Sequence, residues 1–156
     1  MALFLVQHGI SEVKDVDPER GLSSQGRVET ERIAQVANSY GIRIERIVHS
    51  GKKRAKQTAT IYHDALSVKT PLELISGINP LDDVRAFAES INPEINLMVV
   101  GHLPFMQRLV SYLTTGSEEI RIYQFQNSGI VCLDKSEGTD GKFDWFIKWT
   151  LNPNIS

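Results

Sequence analysis

Three short apolar runs constrain this chain more than any other feature: LFLVQ at 3–7, RIVHS at 46–50 and INLMVVGH at 95–102. Each is short and almost continuously apolar, which predicts strands buried on both faces of a sheet. Each also leads into a stretch with helical periodicity. Ser23 or Ser24 can cap a helix from about Gln25 to Tyr40, with Ile33, Val36, Ala37 and Tyr40 on one face and Gly41 as its stop. KKRAKQTATIYHDAL predicts a second helix reaching Leu66, LELI at 72–75 a short strand, and the stretch from about Asp82 to Ser90 a further helix. PFMQRLVSYL predicts the last helix, with Pro104 in its first turn and Phe105, Met106, Leu109, Val110 and Leu113 inward.

The pattern then changes. GIVCLD and FDWFIKW read as two strands joined by KSEGTDGK in a hairpin-like connection, with Phe143, Trp145, Ile147 and Trp149 alternating onto one face. Strands alternating with helices, followed by an antiparallel pair, predict a three-layer α/β/α fold with a mainly parallel central sheet and an antiparallel edge. No repeat, low-complexity tract or linker interrupts the 156 residues, so 1–156 is expected to form one domain.

Composition narrows the function by exclusion. A formal net charge of -2, with 41% hydrophobic and 23% charged residues, argues against a nucleic-acid partner. The single cysteine, Cys132, can form neither an internal disulfide nor the usual zinc cluster, and its apolar surroundings predict a buried, inert thiol. No run approaches the roughly 20 apolar residues of a membrane helix, and no basic, apolar leader opens the sequence. No membrane partner and a cytoplasmic location are therefore expected.

In open α/β sheets ligands bind outside the carboxyl ends of the strands. Three ends carry chemistry here: Gln7-His8-Gly9, then Ser50 followed by Arg54 in the opening turn of a helix, then Gly101-His102. Two histidines and an arginine suit a phosphoryl group. A guanidinium grips two oxygens in a fork, helix N-termini add backbone N–H donors, and imidazole can attack phosphorus. A glycine beside His8 removes a side chain where phosphate must approach. Taken singly these residues also have structural readings: a strand-end histidine, a solvated helix face at Lys53 and Arg54, and a packing role for Gln57 and Thr58. His49 and His63 carry no functional assignment.

LVQHG, RGLSSQG, VHSGKKRAKQTA and VVGHLP, in that order, resemble the signature segments of the histidine phosphatase superfamily, and the short chain resembles its SixA-type phosphohistidine phosphatases. The resemblance covers most of the chain and implies a phosphoglycerate mutase-like fold. It also implies that His8 is a nucleophile that becomes transiently phosphorylated, that Arg54 binds the phosphoryl group, and that His102 donates a hydrogen bond to one of its oxygens. Gln7 and Gly9 would complete the phosphate-binding set. His8 would then need one ring nitrogen tied to a carbonyl and the other aimed at phosphorus.

Two departures matter. The family's first motif is normally Arg-His-Gly, and Gln7 replaces the arginine, keeping an N–H donor without the charge. Lys52, Lys53 or Arg20 could supply that charge. The general acid used by relatives that cleave alkyl phosphates could be Glu73, Asp82 or Asp83. Asp83 best fits the SixA-like register, and helix capping is the competing role for the Asp82–Asp83 pair. Phosphohistidine needs such an acid least, because its leaving imidazole, with a pKa near 6.5, is easily protonated in water.

The sequence thus predicts a metal-independent phosphohistidine phosphatase that needs no cofactor and works through a covalent intermediate on His8, with a phosphorylated protein as partner and inorganic phosphate as product. The alternatives are a catalytically weak or inactive phosphate-binding module and a phosphomonoesterase acting on a small phosphorylated compound.

Overall fold

The computed structural model describes residues 1–136 and 144–154. In chain order the elements are β1 (Ala2–Gln7), α1 (Ser24–Ser39), β2 (Arg46–His49), α2 (Lys53–Ala65), β3 (Glu73–Leu74), α3 (Val84–Ser90), β4 (Leu97–Gly101), α4 (Phe105–Thr115), β5 (Ile130–Lys135) and β6 (Trp145–Leu151). The strands form one six-stranded sheet in the order β3-β2-β4-β1-β5-β6. β3, β2, β4 and β1 run parallel, and β5 and β6 add an antiparallel edge. The expected α/β/α sandwich is therefore present.

Alternation along the strands sends side chains into two cores. On one face Leu3, Leu5, Val99 and Val131 pack with Phe87 of α3 and Phe105 and Leu109 of α4. On the other, Phe4, Val6, Met98 and Val100 pack with Ile33 of α1 and Tyr62 of α2. Every residue of β4 is buried, as a continuous apolar run requires. All five apolar residues assigned inward on α4 are buried, and so is Cys132, whose thiol burial pushes up to about 12.

Two expectations fail. Tyr40 is 77% exposed, because the inward face of α1 runs through Gly26, Thr30, Ile33, Ala34 and Ala37 instead. Nor do the β6 residues share one face. Leu133 pairs with Ile147 while the adjacent Cys132 pairs with Trp149, so Lys148 is an extra residue in a β-bulge. Trp145 and Ile147 consequently join the α3–α4 core, and Trp149 and Leu151 join the α1–α2 core. Phe143, and the connection KSEGTDGK beyond its first two residues, lie outside the described residues.

The topology creates a crevice. Adjacent strands β1 and β4 send their outgoing helices, α1 and α4, to opposite faces of the sheet, which opens a cleft beyond their carboxyl ends. His8 follows β1 and His102 follows β4 at that point.

Candidate active site

His8 is held from every side. Its backbone N–H donates to the carbonyl of Gly101 at 3.0 Å, and its own carbonyl accepts from Asn127 Nδ2 at 2.8 Å. Nδ1–H of its ring donates to the carbonyl of Gly9 at 2.7 Å. A carbonyl only accepts, so the proton sits on Nδ1 and the lone pair on Nε2. Arg54 Nε–H approaches that lone pair at 3.3 Å. Burial, with Arg54 and Arg20 adding to it, holds the His8 pKa down to about 4. At neutral pH the ring is thus an uncharged imidazole whose unprotonated Nε2 faces Arg54.

Gly9 has a packing reason as well. A Cβ there would meet Thr30 Oγ1 at 2.8 Å and Leu22 Cδ2 and Ser128 Oγ at 2.9 Å, so the missing side chain makes room for packing beneath the loop. Its N–H donates to Thr58 Oγ1 at 2.9 Å, and that hydroxyl donates in turn to the carbonyl of Arg54 at 2.8 Å. Gln57 Oε1 accepts from Leu22 N–H at 2.7 Å. The Gln-Thr pair therefore laces α2 to both ends of the connection between β1 and α1.

RGLSSQG has a comparable purpose. Ser23 caps α1 by accepting from Gly26 N–H at 3.0 Å, and its hydroxyl donates to the carbonyl of Ile10 at 3.2 Å. A Cβ on Gly26 would lie 2.0 Å from that carbonyl oxygen, so only glycine lets the helix rest on the segment after His8.

His102 is 2% exposed, and its ring centroid lies 5.1 Å from that of His8. Its Nε2 is 2.6 Å from Ser50 Oγ, while its buried Nδ1 has no hydrogen-bond partner among the described residues. Burial, reinforced by His8, Arg54 and Lys52, holds its pKa down to about 3. His8, Arg54, Ser50 and His102 are thus brought together.

The candidate cations separate clearly. Lys53 pairs with Asp17 at 2.8 Å and lies 3.7 Å from Glu19; that pairing, with the N–H groups of Gly21 and Glu19, pulls the Asp17 carboxyl down to about 2. Arg20, at a left-handed φ of 52°, acts electrostatically on both His8 and Arg54. Among the described residues neither Arg20, Lys52 nor Arg54 has a carboxylate partner. Gln7 pairs with Gly101 in the parallel ladder, and its carbonyl accepts from Ser128 N–H at 2.9 Å.

The three carboxylates are engaged elsewhere. Glu73 forms a forked pair with Arg46, at 2.9 and 2.7 Å. Asp82 accepts from Asn79 N–H, and Asp83 caps α3 by accepting from the N–H groups of Arg85 and Ala86, the capping role the sequence had allowed. Sequence reasoning missed Asn127 and Ser128. Ser128, at a left-handed φ of 68°, joins Thr30 at 2.6 Å and accepts through its carbonyl from the Tyr62 hydroxyl. Only the turn-like QNSG composition hinted at a special backbone there.

No protein-family profile matches the chain. It is 27% identical over 151 residues to phosphohistidine phosphatase SixA of Escherichia coli (strain K12), covering 93% of this chain and 92% of that protein. The chain is thus a homologue of SixA phosphohistidine phosphatase over most of its length. The fold agrees. A structure of protein histidine phosphatase SixA complexed with tungstate superposes with a TM-score of 0.81 at 24% identity, covering 98% of this chain and 97% of that one. Phosphoserine phosphatase from Entamoeba histolytica, in complex with 3-phosphoglyceric acid, superposes at 0.71 and 14% identity over 97% and 96% of the two chains. No helix among the described residues is long and apolar enough to cross a membrane.

Proposed function

We propose that this SixA homologue is a phosphohistidine phosphatase acting on a phosphorylated protein. The observation that carries the reading is the state of His8: Nδ1–H bound to a carbonyl, and Nε2 carrying a lone pair beside the guanidinium of Arg54. The Nε2 pair would attack phosphorus as the bond to the substrate's imidazole nitrogen breaks, and the leaving imidazole would take a proton from water. A water molecule would then attack the phosphoryl group on His8, releasing inorganic phosphate and restoring the Nε2 lone pair; its proton passes to solvent. Arg54 and the buried donor on His102 would hold the phosphoryl oxygens through both steps. Tungstate, bound in the SixA structure, has the tetrahedral oxyanion shape such a site takes.

The carboxylates support this choice of substrate. Asp83 caps a helix and Glu73 pairs with Arg46, so neither is held ready as a proton donor. An alkoxide leaving group would need one, whereas an imidazole does not. We assign the cation replacing the family's arginine to Arg20: Lys53 has two carboxylate partners, and of the two candidates without one among the described residues Arg20 acts on both His8 and Arg54, whereas Lys52 acts on His102.

One observation favours a second reading: the residue before His8 is the neutral Gln7. A phosphate-binding module without turnover would keep the pocket and lose the rate. Quench-flow with a radiolabelled phosphohistidine protein separates the two. Phosphate release with transient acid-labile label in wild type, and neither in His8→Ala, supports the phosphatase. Binding without label or release supports the module, and faster release from small phosphate esters would redirect the assignment to a phosphomonoesterase.

A further inference from the structure

His102 has two ring nitrogens in opposite circumstances. Nε2 lies 2.6 Å from Ser50 Oγ, and Nδ1 is buried without a partner among the described residues. The backbone N–H of Lys52 approaches the same Ser50 oxygen at 3.5 Å. A hydroxyl has one proton to give. With one of its two lone pairs turned to Lys52 N–H, the hydroxyl is free to give that proton to Nε2, and a neutral ring that accepts at Nε2 carries its own proton on Nδ1. Lys52 N–H, Ser50 O–H and His102 Nδ1–H then form one directed chain of donors. It ends on a buried N–H whose ring centroid is 5.1 Å from that of His8.

We propose that Ser50 is a positioning residue that selects the Nδ1–H tautomer of His102 and so presents a preformed hydrogen-bond donor to an oxyanion held beside His8. The opposite tautomer would send the ring proton to Ser50 and turn a lone pair toward the anion, which repels it. A buried donor without a partner is costly to keep, and an oxygen of the bound anion relieves that cost. Ser50 itself stands in the short connection between β2 and α2, just ahead of the helical turn that carries Arg54, so one segment of chain fixes both the guanidinium and the tautomer. The proposal deepens the phosphatase reading, but its first readout does not depend on turnover.

The test is imidazole 15N–1H correlation spectroscopy on the full chain, for wild type, Ser50→Ala and Ser50→Thr, each titrated with inorganic phosphate. Wild type is expected to show His102 protonated on Nδ1. Ser50→Ala should populate the Nε2–H form and weaken phosphate roughly ten- to a hundredfold, the range for losing one hydrogen bond to a charged group. Ser50→Thr, which keeps the hydroxyl, should restore both. An Nε2–H tautomer in wild type overturns the proposal whether or not the variants fold, and so does a Ser50→Ala protein with unchanged tautomer or unchanged phosphate affinity. A wild type that shows the expected tautomer and phosphate response yet releases no phosphate from phosphohistidine would support the positioning role while the phosphatase reading fails.

Discussion

Arg54 Nε lies 3.3 Å from His8 Nε2, so the group suited to grip a phosphoryl oxygen is also in contact with the atom that would attack phosphorus. Both cannot persist once a phosphoryl group arrives. The N–H would leave the lone pair for the oxyanion, so charge stabilisation would begin as the nucleophile is released. Arg54→Ala should therefore slow phosphoenzyme formation by a hundredfold or more, on the order of the loss of one preorganised donor. Arg54→Lys should recover only part, because an ammonium keeps the charge and loses the fork. Rapid-quench measurement of label on the enzyme decides this, and a Lys variant equal to wild type would show that the fork is idle.

The pH dependence follows from burial. His8 is held down to about 4 and His102 to about 3, against an ordinary value near 6.5. Between those values the unfolded chain takes up protons that the folded chain declines, so stability is full above about 6.5 and falls as the pH drops toward 4. The His8 ring resonance in the free protein should stay constant through pH 6.5 and move near 4. A midpoint at 6.5 would mean that the ring is solvated. Thermal melts of His8→Ala should show a shallower loss of Tm below pH 6.5.

Arg20 is expected to act as the second cation. Arg20→Ala should weaken inorganic phosphate about tenfold, a typical worth for a charged hydrogen bond. Gln7→Arg should raise turnover in wild type and restore binding in the Arg20→Ala background. Calorimetric titration of the four proteins gives the coupling. Simple additivity would mean that positions 7 and 20 serve different oxygens or that Arg20 serves none.

Gly26 should tolerate nothing larger. An added methyl would sit 2.0 Å from the Ile10 carbonyl oxygen, which is backbone and cannot swing aside. Gly26→Ala is expected to cost about 3 kcal/mol, a large overpacking penalty, and so to lower Tm by roughly 6–12 °C in a domain of this size. Differential scanning calorimetry checks it, and an unchanged Tm would show that α1 can slide off the loop.

Most of the fold is legible in the sequence because its signals are local. Continuous apolar runs marked β1, β2 and β4, and i, i+3, i+4 spacing marked the inward residues of α4. What escaped is what only pairing decides. A bulge at Lys148 adds one residue to β6 and sends Trp149 across the sheet, and a one-residue register shift leaves no trace in the alternation itself. His8, Arg54 and His102 could be placed because strand ends converge in such sheets. Asn127, Ser128 and the lacing role of Thr58 could not, since each acts through a partner at least 49 residues away.

That lacing determines how the protein should age under heat. Gly9 is tied to α2, Ile10 to the cap of α1, and the His8 carbonyl to Asn127 just ahead of β5, so the loop that carries His8 belongs to three distant parts of the chain at once. It cannot open by itself without breaking a hydrogen bond to each of them. Heat inactivation and loss of structure should therefore be a single event. The Gly9 amide should exchange with deuterium only as slowly as the core strands do.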